Sequence, residues 1–166
     1  MSTDVLDRQA LRRAFGTFPT GVVAVAAATP GGPIGLAASS FTPVSLDPPI
    51  VSVNIAHTST TLPGLRDKGR WGISVLAESH DWLGRQLSAP GTDRFAGVDW
   101  WATSDGAVLI EGAAAHFTVR VENFVTAGDH EIVLLGVESL AFDADAAPLV
   151  FQASRFRQLG VPTVVR

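Results

Sequence analysis

The sequence predicts a mainly β chain, an antiparallel barrel with short peripheral helices. Three observations carry that expectation. Ala115, Phe117, Val119 and Val121 alternate strictly with His116, Thr118, Arg120 and Glu122, as a strand with one buried and one wetter face requires. The run that pairs with it, Ile132-Val133-Leu134-Leu135-Gly136-Val137, is apolar at successive positions, so both of its faces should be covered; a barrel or a subunit interface would do this. Six or seven β-type runs follow one another with only short helical stretches and no βαβ rhythm.

Taken in order, the first element reads as an amphipathic helix. Leu11, Ala14, Phe15 and Phe18 share one side while Arg8, Arg12 and Arg13 take others, with Thr3, Asp4 and Asp7 as candidate caps and Pro19 and Gly21 as the stop. Val22 to Thr29 is then a β run ending in Pro30-Gly31-Gly32-Pro33, and Ile34 to Ser40 is its return strand. After Asp47-Pro48-Pro49 comes a β-branched run, Ile50 to Ile55. Thr58-Ser59-Thr60-Thr61 before Leu62-Pro63 marks the start of a short helix. Trp71 to Leu76 reads as a strand, and Asp81 caps a helix to about Ser88 with Trp82, Leu83 and Leu87 on its apolar side. Residues 89–107 read mostly as loop, and the strand pair 115–122 and 131–142 closes the pattern.

Composition bounds the function. A length of 166 residues, 46% of them apolar, fits one globular domain spanning residues 1–166. The absence of cysteine removes disulfides, iron–sulfur clusters and thiol nucleophiles, and fits a reducing cytoplasm. A net charge of −4 with no run of five like charges speaks against nucleic acid. The start Met1-Ser2-Thr3-Asp4-Val5 lacks signal-peptide character, and no uncharged apolar segment reaches about 18 residues, so no membrane is expected. His57, His80, His116 and His130 lack metal-ligand spacing, so no metal is expected. Nucleophile-elbow, phosphate-loop and dinucleotide glycine motifs are missing, which leaves a bound organic cofactor as the source of any chemistry.

Three segments could serve such a cofactor. In Gly35-Leu36-Ala37-Ala38-Ser39-Ser40, small side chains would let a flat ring lie against a strand edge and meet backbone N–H groups and two hydroxyls; a strand followed by a polar bend explains it as well. Thr58-Ser59-Thr60-Thr61 suits an anion at a helix start, and it equally suits plain N-capping. Gly128-Asp129-His130 is hairpin chemistry with a histidine that could face a ligand or a loop carbonyl.

In their order and spacing these segments resemble the flavin reductase family of the flavin-binding split barrel, the reductase partners of two-component flavin-dependent monooxygenases. The matching stretches are Phe15-Gly16-Thr17-Phe18-Pro19-Thr20-Gly21-Val22, Ala38 through Pro49, Arg94-Phe95-Ala96-Gly97-Val98-Asp99-Trp100, Ala127-Gly128-Asp129-His130-Glu131-Ile132, Pro148 through Phe151, and Arg155-Phe156. The resemblance implies a six-stranded, flavin-binding split β-barrel that forms a homodimer. It also implies an NAD(P)H:flavin oxidoreductase passing hydride from NADH, with NADPH as the alternative, to FAD or FMN.

By position, the resemblance puts Ala38, Ser39 and Ser40 at the polar edge of the flavin ring and Ser45 and Asn54 near the ribityl chain or phosphate. Ser59 and Thr60 would hold phosphate, with Arg94 or His57 as the cation. His130, the one residue assigned to catalysis, would orient the nicotinamide, bordered by Arg155 and Phe156, with Pro19 and Thr20 lining the same opening. Where many members carry Thr-Ala-Asn-Ser, this chain has Ala37-Ala38-Ser39-Ser40, so contact to the ring edge rests on the backbone. That loss keeps an alternative open, a flavin-binding module or single-component oxidase without reductase activity; a non-enzymatic barrel dimer would require all three segments to be turns and caps only.

Overall fold

The computed structural model describes residues 6–160. In order the chain forms α1 (Arg8–Gly16), β1 (Thr20–Gly21), β2 (Val23–Thr29), β3 (Gly32–Ala38), β4 (Thr42–Leu46), β5 (Pro49–Ala56), α2 (Leu62–Arg66) and β6 (Arg70–Val75). A short turn of 3-10 helix (Glu78–His80) leads into α3 (Asp81–Ser88), β7 (Trp100–Ala102), β8 (Val108–Ile110), β9 (Ala115–Ala127), β10 (His130–Phe142), β11 (Val150–Gln152) and β12 (Arg155–Arg157). The main sheet is antiparallel in the order β3-β2-β6-β9-β10-β5-β4; β1, β11 and β12 form a second sheet, and β7 with β8 a third. Among the described residues no helix is long and apolar enough to cross a membrane.

The sheet curls until β3 approaches β5. The free edge of β5 is then taken in two parts. Pro49 to Ser52 pair with β4, while the Ser40 hydroxyl donates to the Asn54 carbonyl (3.0 Å) and accepts the Asn54 N–H (2.8 Å). Residues Ile55 and Ala56, one step further on, have no strand on that side, which leaves the barrel open there. The six strands of the resemblance are joined by a seventh, β4, built from a segment that composition alone reads as a polar loop.

Side-chain alternation fills both sides of β2. Val23, Val25 and Ala27 enter the barrel interior with Val53, Ile55, Ile73, Val119, Val133 and Leu135, while Val22, Ala24 and Ala26 meet Leu83 and Leu87 of α3 and Val108 and Ile110 of β8. Each fully buried leucine contributes about 1.5–3 kcal/mol, enough to seat a helix of two turns that would not hold alone. Trp71 plugs the α2 end of the barrel, its indole N–H donating to the carbonyls of Leu65 (3.0 Å) and Lys68 (3.2 Å). Gly72 is needed because the Val108 main chain lies where a Cβ would stand.

Two expectations need correction. The first helix forms and Asp7 caps it, accepting from the Ala10 N–H (2.7 Å), but it ends at Gly16 and buries nothing: Phe15 is 71% and Phe18 73% exposed. Thr3 and Asp4 lie outside the described residues. On α3, Leu83 and Leu87 are buried whereas Trp82 turns outward, because it lies beside rather than on the stripe facing β2. The stretch 89–107 is mostly loop, as its composition reads, and holds one short strand, β7, whose pairing with β8 no local periodicity announces. Along β10, Val133 and Leu135 are buried in the barrel, but Ile132 and Leu134 are only half-covered within one chain.

Because Ser40 is, among the described residues, the side-chain tie across the gap, Ser40→Ala should cost about 1 kcal/mol of stability. A urea titration would show a lower midpoint with an unchanged slope. Ser39→Ala, which breaks no such bond, should leave the midpoint in place.

Candidate active site

The opening between β3 and β5 is a cavity of about 650 Å³. One wall is Leu36 to Ser40, the other Asn54 to Ala56 with Ile132 of β10; Ser88 of α3, Arg94, His130 and Phe15 complete the rim. Since β3 is the terminal strand of the sheet, its outer edge carries main-chain groups with no strand partner, and they face this space. The walls are small: alanines at 37, 38 and 56 and serines at 39 and 88 leave a flat slot.

Arg94 sits at one end. Its Nε donates to the Ala89 carbonyl (3.1 Å), and its Nη1 to the Gly35 carbonyl (3.1 Å) and Thr61 Oγ1 (2.8 Å). All three acceptors are neutral, so among the described residues the guanidinium charge has no carboxylate partner and Nη2 has no hydrogen bond. The segment is held from two sides. Gln86 of α3 donates to the carbonyls of Arg94 (2.9 Å) and Ala96 (2.9 Å), and the buried Phe95 ring packs on Gly35, where a Cβ would stand 2.9 Å from it.

His130 occupies the other wall. Its Nδ1 donates to Asp129 Oδ1 (2.7 Å), and Asp129 Oδ2 lies 3.6 Å from Arg8 Nη2 of α1. The hydrogen bond from His130, then its charge, with a smaller contribution from Arg8, holds the exposed Asp129 carboxyl below its ordinary value. This fixes one ring nitrogen and leaves Nε2 without a protein partner among the described residues.

Of the residues singled out in the sequence, the structure brings together Ala38, Ser39, Ser40, Asn54, Ser59, Arg94 and His130 in this one cavity. Several are already engaged. Ser40 is spent on Asn54, and Ser59 Oγ accepts the N–H groups of Thr61 (3.2 Å) and Leu62 (3.2 Å), a turn that leads into α2, whose N-cap Thr61 makes no side-chain capping bond. The Ser39 hydroxyl and the Asn54 carboxamide make no side-chain hydrogen bond among the described residues. His57 turns away to Glu131 (3.3 Å), a buried carboxylate that also meets Arg66 (3.3 Å), so Arg94 is the cation at the cavity.

Others stand apart. Ser45 pairs with Ile50, four residues or about 13 Å along β5 from Asn54, and lines no cavity wall. Thr60 faces a second cavity beyond Arg94. Phe156 lines a smaller hollow that adjoins the first at Ala37, Ala38, Ser39 and Ser88; Arg155 is exposed on the β11–β12 hairpin outside it. Pro19 and Thr20 lie at β1 beside Phe151, away from the lining. Ser88, Ala127 and Phe15 were not assigned to the site; Phe15 and Ala127 stand in stretches that carry the resemblance, whereas nothing in the sequence marks Ser88.

A family model described as the flavin reductase like domain matches residues 15–160. The chain belongs to that family. The stachydrine N-demethylase reductase subunit Stc3 of Rhizobium meliloti (strain 1021) is 38% identical over 81% of this chain, and the FMN reductase (NADH) SmoA of Agrobacterium fabrum (strain C58 / ATCC 33970) is 36% identical over 89% of this chain and 84% of its own length. The chain spans 59% of the length of Stc3 and 43% of a second Rhizobium meliloti relative, about half of each. Among solved structures, the NADH:FAD oxidoreductase SgcE6 of Streptomyces globisporus C-1027, in complex with NAD and FAD fragments, superposes with a TM-score of 0.91 at 33% identity, covering 97% of this chain and 98% of that one. This family member therefore has the flavin reductase split-barrel fold, with the cavity in the split.

The placement of Arg94 depends on a glycine. In Gly35→Ala the new Cβ would meet the Phe95 ring and, at 2.7 Å, the Val25 carbonyl, so the 94–96 segment must move. The variant should lose about 1–3 kcal/mol of stability in thermal unfolding.

Proposed function

We propose that this chain is an NADH:flavin oxidoreductase that reduces FAD or FMN and supplies the reduced flavin to a separate flavin-dependent monooxygenase. The observation that carries this reading is the slot along the open edge of β3, ending at a guanidinium with no carboxylate partner and faced by His130. Its donor set fits a flavin: edge N–H groups for the polar side of a ring, Asn54 and Ser39 for a polyol chain, and Arg94 for a phosphate. The family and the names borne by its relatives favour a reductase over a storage module.

When bound, the two cofactors would supply the chemistry, a hydride from nicotinamide C4 to flavin N5 that carries both electrons and leaves the reduced ring anionic. The protein's share is geometry and charge. Alanines 37 and 38 keep the slot flat, so two rings can stack at about 3–3.5 Å. Main-chain N–H groups near Ser39 stabilise the negative charge that the reduced ring gains at its N1–C2 edge. Asp129 orients His130, whose Nε2 then holds the nicotinamide carboxamide. Phe156 supplies an apolar border to the same space.

The reading extends to the whole chain as one catalytic domain, acting in the cytoplasm as a homodimer. Half-covered Ile132 and Leu134, with Val125 at 41% exposed directly opposite Ile132 on β9, favour a second copy against that face.

Anaerobic stopped-flow with NADH at saturating FAD or FMN, followed near 450 nm, should show bleaching far faster than the protein-free control. No bleaching with either flavin, repeated with NADPH, would reject the reductase. In His130→Ala the KM for NADH should rise about tenfold while flavin affinity changes little. An unchanged KM would remove His130 from the nicotinamide side.

A further inference from the structure

Glu131 is, among the described residues, the one charged side chain that the fold buries. It stands on β10 between His130 and Ile132, both of which line the cavity, and strand alternation turns it to the opposite side, into the end of the barrel. Burying a carboxylate is unfavourable unless partners surround it, and an apolar residue here would seal the barrel with no such penalty. Its partners come from three segments of the chain.

Thr126 of β9, directly opposite in the register, donates its hydroxyl to both carboxylate oxygens (3.2 and 3.3 Å). His57 Nε2 and Arg66 Nη2 each stand 3.3 Å from Oε1, and Arg66 Cζ lies 4.1 Å from the centre of the Phe124 ring. His57 and Arg66 begin and end one stretch, the turn and helix of residues 57–66. Between them Thr61 accepts from Arg94 Nη1 (2.8 Å). The His57 N–H donates to the Asp129 carbonyl (2.9 Å), in the hairpin where Asp129 orients His130. One carboxylate thus fastens both the stretch behind Arg94 and the hairpin that carries His130.

We propose that Glu131, which lines no wall of the cavity, is a positioning residue that keeps the two ends of the slot in fixed relation. The proposal rests on the reductase reading of that cavity. Through Arg66 and His57 the carboxylate holds Thr61, and so the guanidinium assigned to the flavin phosphate. Through Thr126 and the adjoining main chain it holds His130, assigned to the nicotinamide. Both effects fall on binding, since Glu131 places the anchors and not the reacting atoms.

Fluorescence titrations with FAD and FMN, and steady-state kinetics with NADH, test it on the wild type, Glu131→Gln, Thr61→Val and the double variant. Glu131→Gln removes the charge without loss of volume, and its amide oxygen still accepts from Thr126. It should weaken both flavins about fivefold and raise KM for NADH about fivefold, with kcat within about twofold. In the Thr61→Val background Arg94 has already lost its Thr61 acceptor, so Glu131→Gln should weaken flavin no further yet still raise KM for NADH. A residue that served stability alone would lower the melting temperature and leave flavin affinity and KM where they were, which overturns the proposal. So does a flavin loss that multiplies in the double variant, or an effect on one ligand only. Should Glu131→Gln fail to fold, Arg66→Met takes its place, removing the ion pair from its exposed side. Weaker flavin binding there supports the proposal and unchanged binding overturns it. If the wild type binds no flavin, the reductase reading falls and this proposal with it; if it binds and reduces flavin, a failure in the variants belongs to Glu131 alone.

Discussion

Because the Ser40 hydroxyl binds both main-chain polar groups of Asn54, β3 and β5 meet at one point while the residues beside them stay apart. A continuous ladder there would close the barrel and consume the edge groups of β3. No tie at all would let the edge strand drift and merge the slot with solvent. One side chain satisfying one donor and one acceptor gives the intermediate state, a closed barrel with an open seam. The small residues at 37 to 39 follow from the same constraint, since bulk on that strand end would fill the seam.

The seam needs a fixed charge at its end, and the means is indirect. Arg94 belongs to a stretch with no regular structure, yet three hydrogen bonds from its side chain, two from Gln86 to neighbouring carbonyls, and the Phe95 ring on Gly35 hold it. Each hydrogen bond contributes about 1 kcal/mol net, and the buried phenyl ring more. The docking of α3 through Leu83 and Leu87 is thus a condition for the site as well as for the core.

Most of the fold was legible in the sequence because its long strands obey local rules. The alternation at Ala115 to Glu122, the Pro-Gly turn after Thr29 and the cap at Asp7 each act within a few residues. What escaped was too short to carry a period, or set by packing. β4, β7 and β12 pair with a neighbouring strand across only two to five intervening residues but have just three or four paired residues each, and β11 depends also on β1, far off in sequence. The outward turn of Trp82 and the exposure of Phe15 likewise depend on what packs, or does not, against each helix. In the site, the residues that the resemblance named at Ala38, Ser39, Asn54, Arg94 and His130 line one cavity, but the resemblance could not tell which hydroxyls were already engaged. Ser40, Ser59 and His57 each have a protein partner that composition does not reveal.

Those internal commitments bear on how firmly a flavin would be held. With Ser40 closing the barrel, Ser59 holding the turn before α2 and His57 on Glu131, the side chains left for a ligand in the first cavity are chiefly Ser39, Asn54, His130 and one guanidinium. The remaining recognition falls to strand-edge groups and to shape, which are exposed to water before binding and so give modest net energy. A prosthetic group would be poorly served by such a set. A flavin that must enter oxidised and leave reduced needs weak, repeatable anchoring, and the proposed reductase meets that need by directing most of its polar side chains inward to its own frame.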